Sequence, residues 1–119
     1  MVSTPRGTGG PSQLPSRGDV YLVDLDPARG SEIQKTRPCV VVSPDELNHH
    51  LRTVIVAPMT TAGQPYPWRV SCRFRNQAGR IALDQLRTVD RERLVRRDGV
   101  LQATTVTDVL AKLSELFAP

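Results

Sequence analysis

Apolar and polar positions alternate from residue 18 to 25, with Tyr21, Val23 and Leu25 on one face and Val20 and Leu22 on the other. This predicts a strand partly buried on both faces and ended by Pro27. Residues 28–36 are polar and form a loop long enough to carry function. Arg37 then stands at the entrance to the continuous apolar run Cys39, Val40, Val41, Val42, the signature of a central strand covered on both sides. Ser43 as N-cap, Pro44 at the first helical position and the acids Asp45 and Glu46 predict a short helix fading near His49. Residues 53–59 form a β-branched strand that delivers Thr60 and Thr61 into a loop. Trp68, Val70, Cys72 and Phe74 alternate with Arg69, Ser71 and Arg73, which predicts one core face and one basic face. A turn over 76–79, short strands over 80–83 and 85–89, and one helical turn over 90–94 follow. A capping box of Thr105 and Asp108 opens a last helix, with Val106, Val109, Leu110, Leu113 and Phe117 along one side. The pattern is mainly β (α+β): a small, partly open barrel with short helices and a C-terminal amphipathic helix over one mouth or edge.

With 119 residues the chain is long enough for one domain. Residues 1–16 mix Pro, Gly, Ser and Thr with few apolar side chains, so a disordered tail is expected there and the folded domain over 17–119. No apolar run approaches the roughly 18 residues that span a bilayer, and no secretory leader is visible. A cytoplasmic protein is expected. Cys39 and Cys72 are then reduced, buried thiols, too few for a four-ligand zinc site. Sixteen Lys and Arg against twelve Asp and Glu leave a net charge of +4, and fourteen of the sixteen cations are Arg. Nine of them lie between Arg69 and Arg97 against three acids. The guanidinium fork suits phosphate partners, although a solvated basic face fits the charge equally well.

No Gly-rich phosphate loop, metal-spaced Cys or His cluster, or nucleophile elbow is present. His49 and His50 are adjacent and diverge, which fits an exposed helix end, with a general base as the alternative. What remains at strand ends is Arg, Thr, Ser, Glu, Asp and Gln. That set is sufficient to cleave RNA, which brings its own nucleophile, the 2′-hydroxyl, and needs alignment and charge stabilisation.

Four blocks carry a resemblance: RGDVYLVDLDPARGSE (17–32), TRPCVVVSP (36–44), PMTT (58–61) and LDQLRTVDRERL (83–94). In this order and spacing the chain resembles the MazF/PemK toxins of bacterial toxin–antitoxin systems. The resemblance implies a homodimeric SH3-like barrel that cleaves single-stranded RNA without a metal cofactor, leaving a cyclic phosphate and a 5′-hydroxyl. It also implies an antitoxin with an acidic, flexible tail, and no membrane association. Arg37 matches the family's catalytic arginine and Thr60 its catalytic threonine. A guanidinium keeps its proton near neutrality, so phosphate clamping is the role expected of Arg37; the structural alternative is an ion pair with Glu32 or Asp84. Ser31 and Glu32, Thr61, and the pair Asp84 and Gln85 match RNA-binding positions, although Ser31 could simply shape a turn and Gln85 pair with backbone. Arg69 and Arg87 are candidate phosphate contacts by charge and strand face. Three departures stand out. The chain has EIQK (32–35) where many relatives carry Glu-Gln then Gly, Ala82 where some have a further catalytic arginine, and Ser31 where some have histidine. A CcdB-like gyrase poison and an inactive antitoxin-binding module are the alternatives.

Overall fold

The computed structural model describes residues 14–119. Of the tail expected over 1–16, residues 1–13 lie outside the described residues, while Pro15 is buried. Seven strands follow: β1 Asp19–Asp24, β2 Thr36–Val41, β3 Thr53–Thr60, β4 Arg69–Phe74, β5 Gln77–Ala82, β6 Arg87–Asp90 and β7 Leu94–Val100. Helix α1 (Asp45–Asn48) lies between β2 and β3, and α2 (Ala103–Leu116) ends the chain. All pairings are antiparallel, in the order β4-β5-β3-β2-β1-β7, and β6 also pairs with β3. β3 is the hub. Its first half meets β6 from Thr53 to Val56, and its last two residues meet β5. The sheet is mostly β and bent but not closed, as expected of a partly open barrel.

The alternation in β1, β2 and β3 sorts side chains into two cores. Val20, Val40, Ala57, Met59, Ile81, Leu83 and Val109 pack on the α2 side. Tyr21, Val23, Leu25, Cys39, Val41, Val54, Val56 and Val89 fill the other. The two β-branched runs thus feed both faces of the sheet, which is why neither shows a polar side.

Several expectations need correction. Ser43 does not cap α1: its Oγ donates to Asn48 Oδ1 (2.5 Å) and accepts from the Ile55 N–H (3.0 Å), tying the helix to β3. Thr105 and Asp108 do not open α2. The Leu101 N–H bonds Gly18 O (2.9 Å), and the helix starts after Gln102. The turn before β5 is tighter than 76–79, because Phe74 pairs with Gln77 and only Arg75 and Asn76 lie between them, at φ 52° and 62°. Two left-handed residues make the mirror-image turn that matches strand twist. Trp68 is 37 % exposed rather than core: it precedes the first β4–β5 pair and stacks on Tyr66, centroids 5.0 Å apart. Phe117 lies beyond the end of α2, 70 % exposed. Residues 83–85 form a 3₁₀ turn, so the strand expected over 85–89 begins at Arg87. β7 was not expected at all.

β4 and β7 are the two ends of the strand order, and side chains join them. Arg75 donates to the Asp98 carbonyl (2.6 and 3.2 Å) and pairs with its carboxylate (3.3 Å). Phe74 lies against Gly99, where an added Cβ would meet the ring at 2.9 Å.

Candidate active site

Arg37 and Thr60 come from neighbouring strands. β2 and β3 pair Cys39 with Pro58 and Val40 with Ala57, and Arg37 and Thr60 lie two residues beyond the last of these rungs, where β3 has passed to pairing with β5. Both line a groove of about 670 Å³, together with Ser31, Glu32 and Thr61. A smaller depression shares Glu32 and adds Asp84, Gln85 and Arg87. The two concavities therefore hold eight of the nine candidate residues, and Arg69 reaches them through Asp84.

Arg37 is exposed, and its Nε–H donates to Gln34 O (3.2 Å). Neither expected carboxylate pairs with it. Glu32 accepts the Arg29 N–H through Oε1 (2.6 Å), and Asp84 takes both arms of Arg69 (3.0 Å each). The two Nη groups of Arg37, which lines the groove, thus have no ion-pair partner among the described residues. Thr60 Oγ1 accepts the Ala62 N–H (3.1 Å), which leaves the hydroxyl proton to be donated outward.

The loop between β1 and β2 is held at several points. The Leu25 N–H bonds Lys35 O (3.0 Å), the Lys35 N–H bonds Asp26 Oδ1 (2.8 Å), and Gly30 and Lys35 adopt positive φ. Gln85 Oε1 accepts the Ile33 N–H (3.2 Å) and Arg87 Nη1 donates to Leu25 O (3.2 Å). Both side chains secure the loop that presents Ser31 and Glu32, a task not legible in residues more than 50 positions apart.

The Arg69 hydrogen bonds hold the Asp84 carboxyl below the usual carboxylate range. A lowered folded-state value means that the pair's stabilisation is present above the unfolded carboxylate pKa, about 3.9, and is lost as pH falls through the folded value. Denaturant unfolding of wild type and Asp84→Asn from pH 2 to 7 should therefore differ by about 1 kcal/mol above pH ~5, with the gap closing below pH ~4. A gap that persists at pH 2 would assign the loss to packing instead.

Burial pushes the Cys39 thiol up to about 12 and raises the half-buried Cys72 as well. Cys72 lines the groove, whereas Cys39 is fully enclosed. At pH 8 a small disulfide reagent is expected to modify Cys72 slowly and Cys39 only after unfolding; rapid reaction of two thiols in the native protein would contradict this. Among the described residues no three His, Cys, Asp or Glu side chains converge to hold a metal ion. His49 and His50 are exposed after α1, and His50 Nδ1 lies 2.6 Å from Glu46 O.

Residues 16–117 match the family model described as the PemK-like, MazF-like toxin of type II toxin–antitoxin systems. The chain is 31 % identical over 105 residues to the endoribonuclease toxin MazF of Escherichia coli strain K12, across 87 % of this chain and 95 % of that protein. In three dimensions it is similar to MazF from Deinococcus radiodurans, with a TM-score of 0.77 at 25 % identity, covering 87 % of this chain and 96 % of that one. It also shares its fold with a mycobacterial endoribonuclease solved in complex with its cognate antitoxin, with a TM-score of 0.74 at 24 % identity, covering 88 % and 97 %. With the family match spanning nearly all described residues and the two strand ends meeting at one groove, the chain belongs to the PemK-like, MazF-like toxins of type II toxin–antitoxin systems.

Proposed function

We propose that this chain is a toxin that cleaves single-stranded RNA, selective for a short sequence and independent of a metal cofactor. The observation that carries the reading is that Arg37 and Thr60 line one groove, with both guanidinium Nη groups and the hydroxyl proton unspent on the fold. In the reaction the substrate's 2′-oxygen bonds to the adjacent phosphorus and loses its proton, while the bond from phosphorus to the 5′-oxygen breaks and that oxygen takes up a proton. The products are a 2′,3′-cyclic phosphate and a 5′-hydroxyl. Arg37 clamps the non-bridging oxygens as negative charge builds on them, and Thr60 donates a hydrogen bond to one of them. Ser31, Glu32 and Thr61 along the groove, with Asp84, Arg69, Gln85 and Arg87 beside it, hold the flanking nucleotides or the loop that meets them.

The protein acts in the cytoplasm as a homodimer, and an antitoxin with an acidic tail silences it by lying along the basic face. Among the described residues no helix is long and apolar enough to cross a membrane. Domain 17–119 carries the activity, so deletion of residues 1–13 leaves cleavage unchanged. The deciding experiment incubates purified protein with a long single-stranded RNA in excess chelator and maps cuts and end chemistry. Discrete chelator-resistant cuts with 5′-hydroxyl ends support the reading. A folded protein that cuts no RNA but inhibits gyrase would replace it with target binding.

A further inference from the structure

The loop between β3 and β4 carries QPYPW (64–68), in which a proline stands on each side of Tyr66. Each proline holds its own φ at about −65°, and the backbone uses both. The Tyr66 N–H donates to Gln64 O (2.8 Å) in a three-residue turn about Pro65. The Arg69 N–H donates to Tyr66 O (3.0 Å) in a four-residue turn with Pro67 at its second position, where proline is favoured. Across this second turn the Tyr66 and Trp68 rings stack, their centroids 5.0 Å apart and their planes 9° from parallel.

Arg69 fixes the stack. Its guanidinium carbon lies 5.5 Å from the Tyr66 ring centroid, and Asp84 holds the same group by two hydrogen bonds of 3.0 Å each. Gly63, at φ 93°, lets the loop pass close to that guanidinium, since a Cβ there would stand 2.8 Å from Nη1. With its fork spent on Asp84, Arg69 supports the tyrosine ring rather than waiting for a phosphate. Tyr66 and Trp68 nevertheless stay 41 % and 37 % exposed, and among the described residues no ring other than Tyr66 stacks on Trp68. A stack ordered in advance by turns and a fixed cation loses little conformational freedom when a flat ligand settles on it.

The stack is continuous with the candidate site at two points. Thr61 and Ala62 line the main groove, and the chain runs from them through Gly63 to Tyr66. Asp84, which grips Arg69, lines the smaller depression together with Glu32. We propose that Tyr66 and Trp68 form a base-stacking platform, on which Trp68 receives a nucleobase of single-stranded RNA flanking the cleaved bond. The choice of RNA as occupant rests on the ribonuclease reading, whereas the platform itself rests on the ring geometry. Every base has a π-face, so the platform adds affinity with little preference among bases. Because Asp84 neutralises Arg69, its pull is stacking rather than charge.

Trp68 is the chain's single tryptophan, so its fluorescence reports on the platform directly. Titration of the full chain with a single-stranded 2′-deoxy oligonucleotide of mixed sequence, which lacks the attacking hydroxyl and stays intact, is expected to quench that emission. An abasic strand of equal length, with the phosphates but no bases, should leave it unchanged. Trp68→Leu keeps apolar bulk without a π-face and is expected to weaken binding of a labelled oligonucleotide about 5–150-fold, the equivalent of one lost base stack. The slope of log K against log salt should not move, since no phosphate contact is lost, and Trp68→Phe should bind within about fivefold of wild type. Equal quenching by the abasic strand would overturn the platform, as would Trp68→Leu binding within about twofold of wild type or with a lowered salt slope. Wild-type protein that cuts RNA but fails these tests loses the platform and keeps the ribonuclease reading. Base-dependent quenching in a protein that never cuts does the reverse.

Discussion

Arg37→Ala is expected to slow RNA cleavage by about 10²–10³-fold, the cost of removing one preorganised charge donor from a developing oxyanion. Little of this should come from folding. Arg37 is exposed, and the hydrogen bond it loses is the one from Nε to Gln34 O, at the surface. Thermal unfolding of the variant should match wild type, and single-turnover cleavage with saturating RNA should show the loss in kcat. Arg37→Lys separates charge from geometry. An ammonium retains the positive charge but cannot grip two phosphate oxygens side by side, so it should recover only a small part of the rate. A lysine variant that cuts at nearly the wild-type rate would rule out the two-pronged clamp.

Ile81→Ala is expected to cost 2–5 kcal/mol in stability, by loss of buried methyl groups and creation of a cavity, out of roughly 5–15 in total. Ile81 is fully buried, opposite both Met59 and Val70, in the core that β5 shares with Leu83 and Val109. It anchors the strand that lies beside Thr60. Urea unfolding should show the loss as a lower midpoint, and Ile81→Val, which removes one methylene, should cost 0.5–1.5 kcal/mol. A loss below about 1 kcal/mol for the alanine variant would mean that the site collapses easily and that β5 is held by backbone pairing instead.

The parts of the fold that could be read in advance are those whose burial shows in local periodicity. The valine-rich runs of β2 and β3 and the alternation in β1 lie where expected, because each of these strands is covered on both faces. β7 escaped, since LVRRDGV carries three charges and pairs only with β1, leaving Val95 and Val100 more than half exposed. Its strand character comes from β1. The caps failed for a related reason: Ser43 and Thr105 are good N-caps in isolation, but the Ser43 hydroxyl is engaged by Asn48 and the Ile55 N–H, and the Leu101 N–H is tied to Gly18 O just before α2. At the site, Arg37 and Thr60 were visible through the family blocks. The tasks of Gln85 and Arg87 depend on contacts with Ile33 and Leu25, 52 and 62 positions away in the chain, and no local pattern announces them.

The β4–β5 hairpin hangs from β3 by two rungs, Met59 with Ile81 and Thr60 with Arg80, and its far end is held to β7 by side chains alone. It is a span held at both ends, and one of those ends lies at the proposed reaction centre. Changes in its length would break the Arg75–Asp98 and Phe74–Gly99 contacts that fix the far end to β7. Exchange confined to the two turn residues 75 and 76 would leave the core side chains Val70, Cys72, Phe74 and Ile81, and the rung that holds Thr60, as they are.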